Sequence, residues 1–169
     1  MRKIAIILPG DKLPLPSVKG GAVESLVQCL LDYNEKYHTY NFVVFSVYNE
    51  EAALKSRSYK HTDFKYINTD SLNYKLKQVF RWIYNRFFPY IGNQFINSVM
   101  NGMDTDYDYV LIENAPWFVI PLKRKMNMSM VQHLHNNYLG ITSSFNQQII
   151  DNSDFVLAVS KFIKNEILS

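Results

Sequence analysis

Pro16-Ser17-Val18-Lys19-Gly20-Gly21-Ala22-Val23-Glu24 lies between an apolar run ending at Leu8 and an amphipathic stretch from Ala22 to Tyr33. A glycine pair at a helix entry lets backbone N–H groups approach an anion closely, and the helix dipole favours negative charge there. The reading is a strand, a phosphate-type loop and a helix, the opening unit of a parallel α/β sheet. A plain turn into a helix reads equally well from these residues alone. The stretch is neither Gly-x-Gly-x-x-Gly nor a Walker sequence, which disfavours dinucleotide and ATP binding.

Working outward, short apolar runs recur between helical patterns: Ile4 to Leu8, Phe42 to Val47, Phe64 to Ile67, Tyr109 to Ile112, Met130 to Leu134 and Phe155 to Val159. This alternation predicts a Rossmann-like, doubly wound α/β fold with a parallel sheet and crossover helices on both faces. Helices are predicted over Ala22 to Tyr33, Ser71 to Asn101, Pro116 to Met126 and Thr142 to Asn152, with another starting at Ser160. Pro89 and Gly92 should break the long stretch into two. Leu72, Leu76, Val79, Phe80, Ile83 and Phe87 recur at helical spacing and are predicted to form its core stripe.

The 169 residues fit one domain, and an apolar content of 47% is enough to bury a core. A net charge of +3 is too mild for a dedicated nucleic-acid binder unless the basic residues cluster, as Ser71 to Phe88 begins to do. Cys29 is the single cysteine, which rules out an intrachain disulfide framework and favours a reducing, cytoplasmic setting. The first apolar run stops at Pro9-Gly10, too short for a signal-peptide core or a membrane span. The chain ends inside the helix begun at Ser160, so it is expected to be cut short.

Several features, in order, are similar to the N-terminal half of a family 4 retaining glycosyltransferase of the GT-B fold. They are Leu8-Pro9, Gly20-Gly21-x-x-Glu24, Tyr109 to Glu113 with Asn114, Val131-Gln132-His133-Leu134-His135-Asn136, and Asn152-Ser153-Asp154 through Val159-Ser160-Lys161. The resemblance implies that residues 1–169 form the acceptor-side Rossmann-like domain, with the C-terminal donor-binding domain absent. It implies sugar transfer with retention from a nucleotide-sugar substrate to a glycan or lipid-linked acceptor, in polysaccharide or glycan biosynthesis, without a metal or other cofactor. The fragment alone would be inactive. The alternative is a non-catalytic Rossmann-like module that binds a phosphorylated ligand or a partner protein.

Ligands in open α/β sheets bind beyond the carboxyl ends of the strands, which selects the candidate residues. By the resemblance, His135 is the catalytic candidate and Gly20 and Gly21 contact donor phosphate or sugar. Glu24, Glu113, Asn114, Asn136 and Ser160 are acceptor-side candidates. Their plainer roles are a helix-dipole contact for Glu24 and caps for Asn114 and Ser160. His133 lies two residues deeper on the side of the strand that carries His135. His-x-His raises metal binding, but no cysteine or neighbouring Asp or Glu is evident to complete a ligand set, so no metal is assigned. Asp104-Thr105-Asp106-Tyr107-Asp108 precedes a strand and reads as a solvated loop. Lys75, Lys77, Arg81, Trp82 and Arg86 form a basic and aromatic face suited either to solvent or to peripheral contact with the inner face of a membrane.

Overall fold

The computed structural model describes residues 1–10, 13–87, 93–140 and 143–168, with the side chains of 84–87 left aside. Its centre is a six-stranded parallel sheet formed by β1 (Lys3–Ile7), β2 (Asn41–Val47), β3 (Thr62–Ile67), β4 (Tyr109–Glu113), β5 (Ser129–Leu134) and β6 (Phe155–Ala158). The strand order is β3-β2-β1-β4-β5-β6, which reverses direction between β1 and β4. That is the doubly wound Rossmann-like arrangement expected from the alternating pattern, and the reversal opens a crevice at the carboxyl edge.

The helices are α1 (Ala22–Tyr37), α2 (Glu50–Ser56), α3 (Leu72–Phe87), α4 (Gln94–Gly102), α5 (Val119–Lys125), α6 (Ser144–Asp151) and α7 (Lys161–Leu168). Two hydrophobic layers sandwich the sheet. Ile6, Leu8, Phe42 and Val44 pack with Val27 and Leu31 of α1 on one face. On the other, Ala5, Ile7, Phe45, Val110, Ile112 and Met130 pack with Phe95, Ile96 and Val99 of α4, with Val119 and Leu122 of α5, and with Ile149 of α6. Strand residues alternate between the layers because successive side chains point to opposite faces.

Three departures from the sequence reading have physical causes. α2 was not anticipated, although Asn49 caps it by accepting from the Ala52 N–H at 3.1 Å and Glu50 and Glu51 occupy its first turn. The helix expected from Pro116 begins as a 3-10 turn over Pro116–Phe118 before α5, and Pro121 sits in the first turn of α5, where its missing N–H costs nothing. The long Ser71 to Asn101 pattern does divide into α3 and α4; Pro89 and Gly92 themselves lie outside the described residues.

The third departure is the largest. Leu72, Leu76, Val79, Phe80 and Ile83 were expected to face the core, and all five are exposed. Among the described side chains of α3 Tyr74 is the buried one, and Arg81, seven residues later on the same face, is half-buried. α3 therefore turns its polar edge inward and its apolar stripe outward. The reason is that α4 already fills this face of the sheet with Phe95, Ile96, Val99 and Met100.

Candidate functional site

The carboxyl edge of the sheet carries two groupings of polar side chains. The first surrounds a cavity of about 580 Å³ beyond β1, β2 and β3, lined by Gly10, Lys19, Tyr48, Asn49, Asp70, Lys75 and Gln78, among others. Its size lies within the usual range for small-molecule sites. Gly10, with φ +77°, is held there by close packing: a Cβ at this position would run into the Phe95 ring. Lys19 comes from the loop before α1 and Lys75 from the first turn of α3, so two cations from distant parts of the chain face one cleft.

The glycine pair shapes the neighbouring loop. Gly20 adopts φ +79° and its carbonyl accepts from the Ser17 hydroxyl at 3.1 Å. Gly21 adopts φ +112° as the cap of α1, and a Cβ there would collide with the Glu24 carboxylate. Glu24 is buried in the first turn of α1, folded back over Gly21. Of the two residues, Gly20 has open space on its Cα and Gly21 is closed over by Glu24 and Leu13.

The second grouping joins the ends of β4 and β5. Glu113 pairs in register with His133, and His135 follows two residues later on the same face of the strand line. His133 Nδ1 lies 3.0 Å from Glu113 Oε2, and His135 Nε2 lies 3.0 Å from the same oxygen. Only 1% of the Glu113 side chain is exposed, against 20% for His133 and 11% for His135. Burial works to push the Glu113 carboxyl up, but hydrogen bonds from His133 and His135 outweigh it and hold the group below its ordinary range. The same hydrogen bond to Glu113 raises His133 above the usual imidazole value against the opposing effect of burial.

Asn114 fixes this corner. It adopts φ +50°, its N–H donates to the His133 carbonyl at 2.8 Å, and its Oδ1 accepts from the His135 N–H at 3.1 Å. Asn tolerates this left-handed conformation better than most residues. Asn114 thus clamps the end of β5 and caps no helix.

Along the sequence no cysteine, Asp or Glu neighbours His133 and His135, and on that ground no metal is assigned there. The structure corrects that premise, since Glu113, His133 and His135 each offer a ligand atom, all within 4.8 Å of one another. Parallel pairing brings together residues twenty positions apart, a proximity that spacing along the chain does not reveal.

The other expected residues are scattered. The Ser160 hydroxyl accepts from the Ile163 N–H at 3.2 Å and so acts as a helix cap. The Asn136 amide donates to the Tyr138 hydroxyl at 3.4 Å at the exposed end of β5. Lys75, Lys77 and Trp82 are exposed on α3, burial lowers the Arg81 pKa, and the Arg86 side chain lies outside the described residues. Asp104 and Asp106 pair with Lys3 at the opposite end of the sheet, consistent with a loop away from the cleft.

No family model matches this chain, and no curated protein matches it. A solved structure similar to it is the TrkA-N domain of the inner membrane protein ybaL from Escherichia coli. That domain is 9% identical with a TM-score of 0.46, over 99% of this chain and 96% of the other. These findings correct the family 4 assignment: no family model or curated protein supports it, and the solved structure named is a TrkA-N domain. The enzyme reading and the role in polysaccharide biosynthesis rested on that resemblance and are set aside with it. The short motifs behind it mark strand ends and helix entries, and such features recur wherever this fold is built.

Proposed function

We propose that this chain acts as a non-catalytic Rossmann-like module that binds a phosphorylated ligand in the cleft beyond β1, β2 and β3. The observation that carries this reading is the cavity of about 580 Å³ that Lys19 and Lys75 both line. Lys19, together with Lys75 on exchanging Asp70 at 3.7 Å for the ligand, offsets the charge of a phosphate, while the Gln78 side chain and the Tyr48 ring offer polar and stacking contacts to the rest of it. The cleft lies at the carboxyl edge, where open parallel sheets take their ligands.

Calorimetric titration with nucleoside monophosphates, sugar phosphates and inorganic phosphate tests the reading. Binding by at least one of them should weaken by about 100-fold or more when Lys19 and Lys75 are both changed to Ala, since charge-assisted contacts contribute about 1.5–3 kcal/mol each. Equal affinity in the double variant would refute the proposed site. No binding by any of these compounds would refute the ligand class.

A second reading, peripheral contact with an anionic membrane surface, is favoured by the outward apolar stripe of α3. Leu72, Leu76, Val79, Phe80 and Ile83 are exposed together, with Trp82 and Lys75 at the margin of the stripe. An amphipathic helix of this kind lies in a lipid interface, and each cation near an anionic surface adds about 1 kcal/mol. Among the described residues no helix is long and apolar enough to cross a membrane. Co-sedimentation with phosphatidylserine vesicles, lost in Leu76→Ser/Phe80→Ser and absent with neutral phosphatidylcholine, is the expected result. Equal sedimentation of the variant would refute it.

A further inference from the structure

We propose that Glu113, His133 and His135 form a binding site for one divalent transition-metal ion, with zinc the foremost candidate. The site is independent of the phosphate cleft described above and uses none of its residues. Three observations carry it. Two neutral-capable imidazoles and one carboxylate make a ligand set suited to zinc, iron, nickel or copper, while magnesium and calcium prefer oxygen ligands. The three groups come from adjacent strands of one ladder, Glu113 opposite His133 and His135 two residues on, so a rigid backbone positions them before any ion arrives. The carboxylate is buried, and a buried carboxylate requires a cationic or hydrogen-bonding partner.

The ligand atoms are already gathered at one point of the sheet edge. Each histidine nitrogen lies 3.0 Å from Glu113 Oε2. Two ligands on a tetrahedral zinc, at bonds of about 2.0–2.1 Å, stand about 3.3 Å apart. All three ligand atoms lie within 4.8 Å of one another, so an ion between them replaces the protons that now bridge the histidines to Glu113, with the two imidazoles adjusting to about that 3.3 Å spacing. Both histidines keep some exposure, which gives the ion a route in and leaves coordination positions open to water or to an anionic ligand. Asn114 supports the corner from outside the ligand set by holding the His133 carbonyl and the His135 N–H. Outer contacts of this sort strengthen metal sites.

The test is titration of the chelator-treated full chain with Zn2+ and with Co2+, followed by calorimetry and by the visible absorption of the cobalt form. One ion per chain is expected, with cobalt bands of a low-coordinate site. Glu113→Gln and His135→Ala should each lower affinity on the order of 100-fold, because losing a ligand costs at least as much as losing an outer contact. His38 and His61, whose rings stack at 3.4 Å, are the competing imidazole pair, so His38→Gln/His61→Gln should leave affinity unchanged. Absence of stoichiometric binding overturns the proposal, as does binding that is lost in the His38/His61 variant and kept in His135→Ala. If His135→Ala does not fold, the paramagnetically shifted imidazole resonances of the wild-type cobalt form decide the matter. Two shifted imidazoles that respond to Glu113→Gln support the site, and none overturns it.

Discussion

Replacing Phe80 with Ala separates two accounts of α3 that differ by several kcal/mol. If the helical spacing of Leu72, Leu76, Val79, Phe80 and Ile83 made a core stripe, Phe80→Ala would cost about 3–5 kcal/mol, the usual range for a buried Phe. In the structure Phe80 is 65% exposed, so roughly a third of its surface is removed from water. Full burial of such a side chain is worth about 1.5–3 kcal/mol, and a third of that is about 0.5–1 kcal/mol. Phe95 of α4 is fully buried against Gly10 and Phe118, so Phe95→Ala should show the full cavity cost of about 3–5 kcal/mol. Urea unfolding followed by far-ultraviolet circular dichroism measures both variants against the wild type. For a chain of this size each kcal/mol moves the melting temperature by about 2–4 °C, so thermal melts give a second reading. A Phe80→Ala loss equal to that of Phe95→Ala would refute the outward orientation of α3, and the membrane reading would fall with it.

Other perturbations probe the frame around the cleft. Asn34 is buried at the end of α1, where its amide donates to the Tyr40 carbonyl at 2.9 Å and its Oδ1 accepts from the Thr39 and Tyr40 N–H groups. Asn34→Ala leaves these unpaired and should cost about 2–3 kcal/mol in urea unfolding, whereas a loss under about 0.5 kcal/mol would contradict the clamp. Gly21→Ala must hold φ +112° and displace Glu24, so it should cost more than Gly20→Ala, which faces open space; equal losses would refute the packing of Glu24 over the loop. Asp154 accepts from the Met130 N–H at 2.7 Å and from Lys123 at 2.8 Å, and the lysine, then the backbone bond, hold its carboxyl below the ordinary range. The stability it adds is therefore present above the unfolded value of about 3.9 and is lost as pH falls through the lower folded value. Asp154→Asn should flatten the acid limb of the pH–stability curve in that window, and an unchanged limb would refute the assignment.

The fold was legible because each parallel strand, flanked by turns, announces itself as a short apolar run, and the six runs expected from the sequence correspond to β1 to β6. The break in the Ser71 to Asn101 pattern was legible from Pro89 and Gly92. What the sequence hid was competition. α3 and α4 both carry apolar stripes, and periodicity alone does not say which one takes the sheet; α4 does, with Phe95, Ile96 and Val99. α2 was missed because its seven residues are too few to establish a period, although its Asn49 cap and the two glutamates after it were available as signals. At the carboxyl edge, spacing along the chain singled out His135 and Glu113 but not their contact, because only the register of β4 against β5 sets the distance. Glu24 reads from the sequence as a helix-dipole contact or an acceptor-side group, and neither reading anticipates its burial against Gly21. The glycosyltransferase resemblance drew on residues that the fold itself demands at strand ends, so it carried less about activity than about architecture.

The most direct test of the ligand-binding account is a two-dimensional amide NMR titration of the isotope-labelled chain with the tightest-binding phosphorylated compound. The account predicts saturable shifts centred on Gly10, Lys19, Tyr48, Asn49 and Lys75, which border the cleft beyond β1, β2 and β3. Saturable shifts centred elsewhere, or none at millimolar ligand, would contradict it.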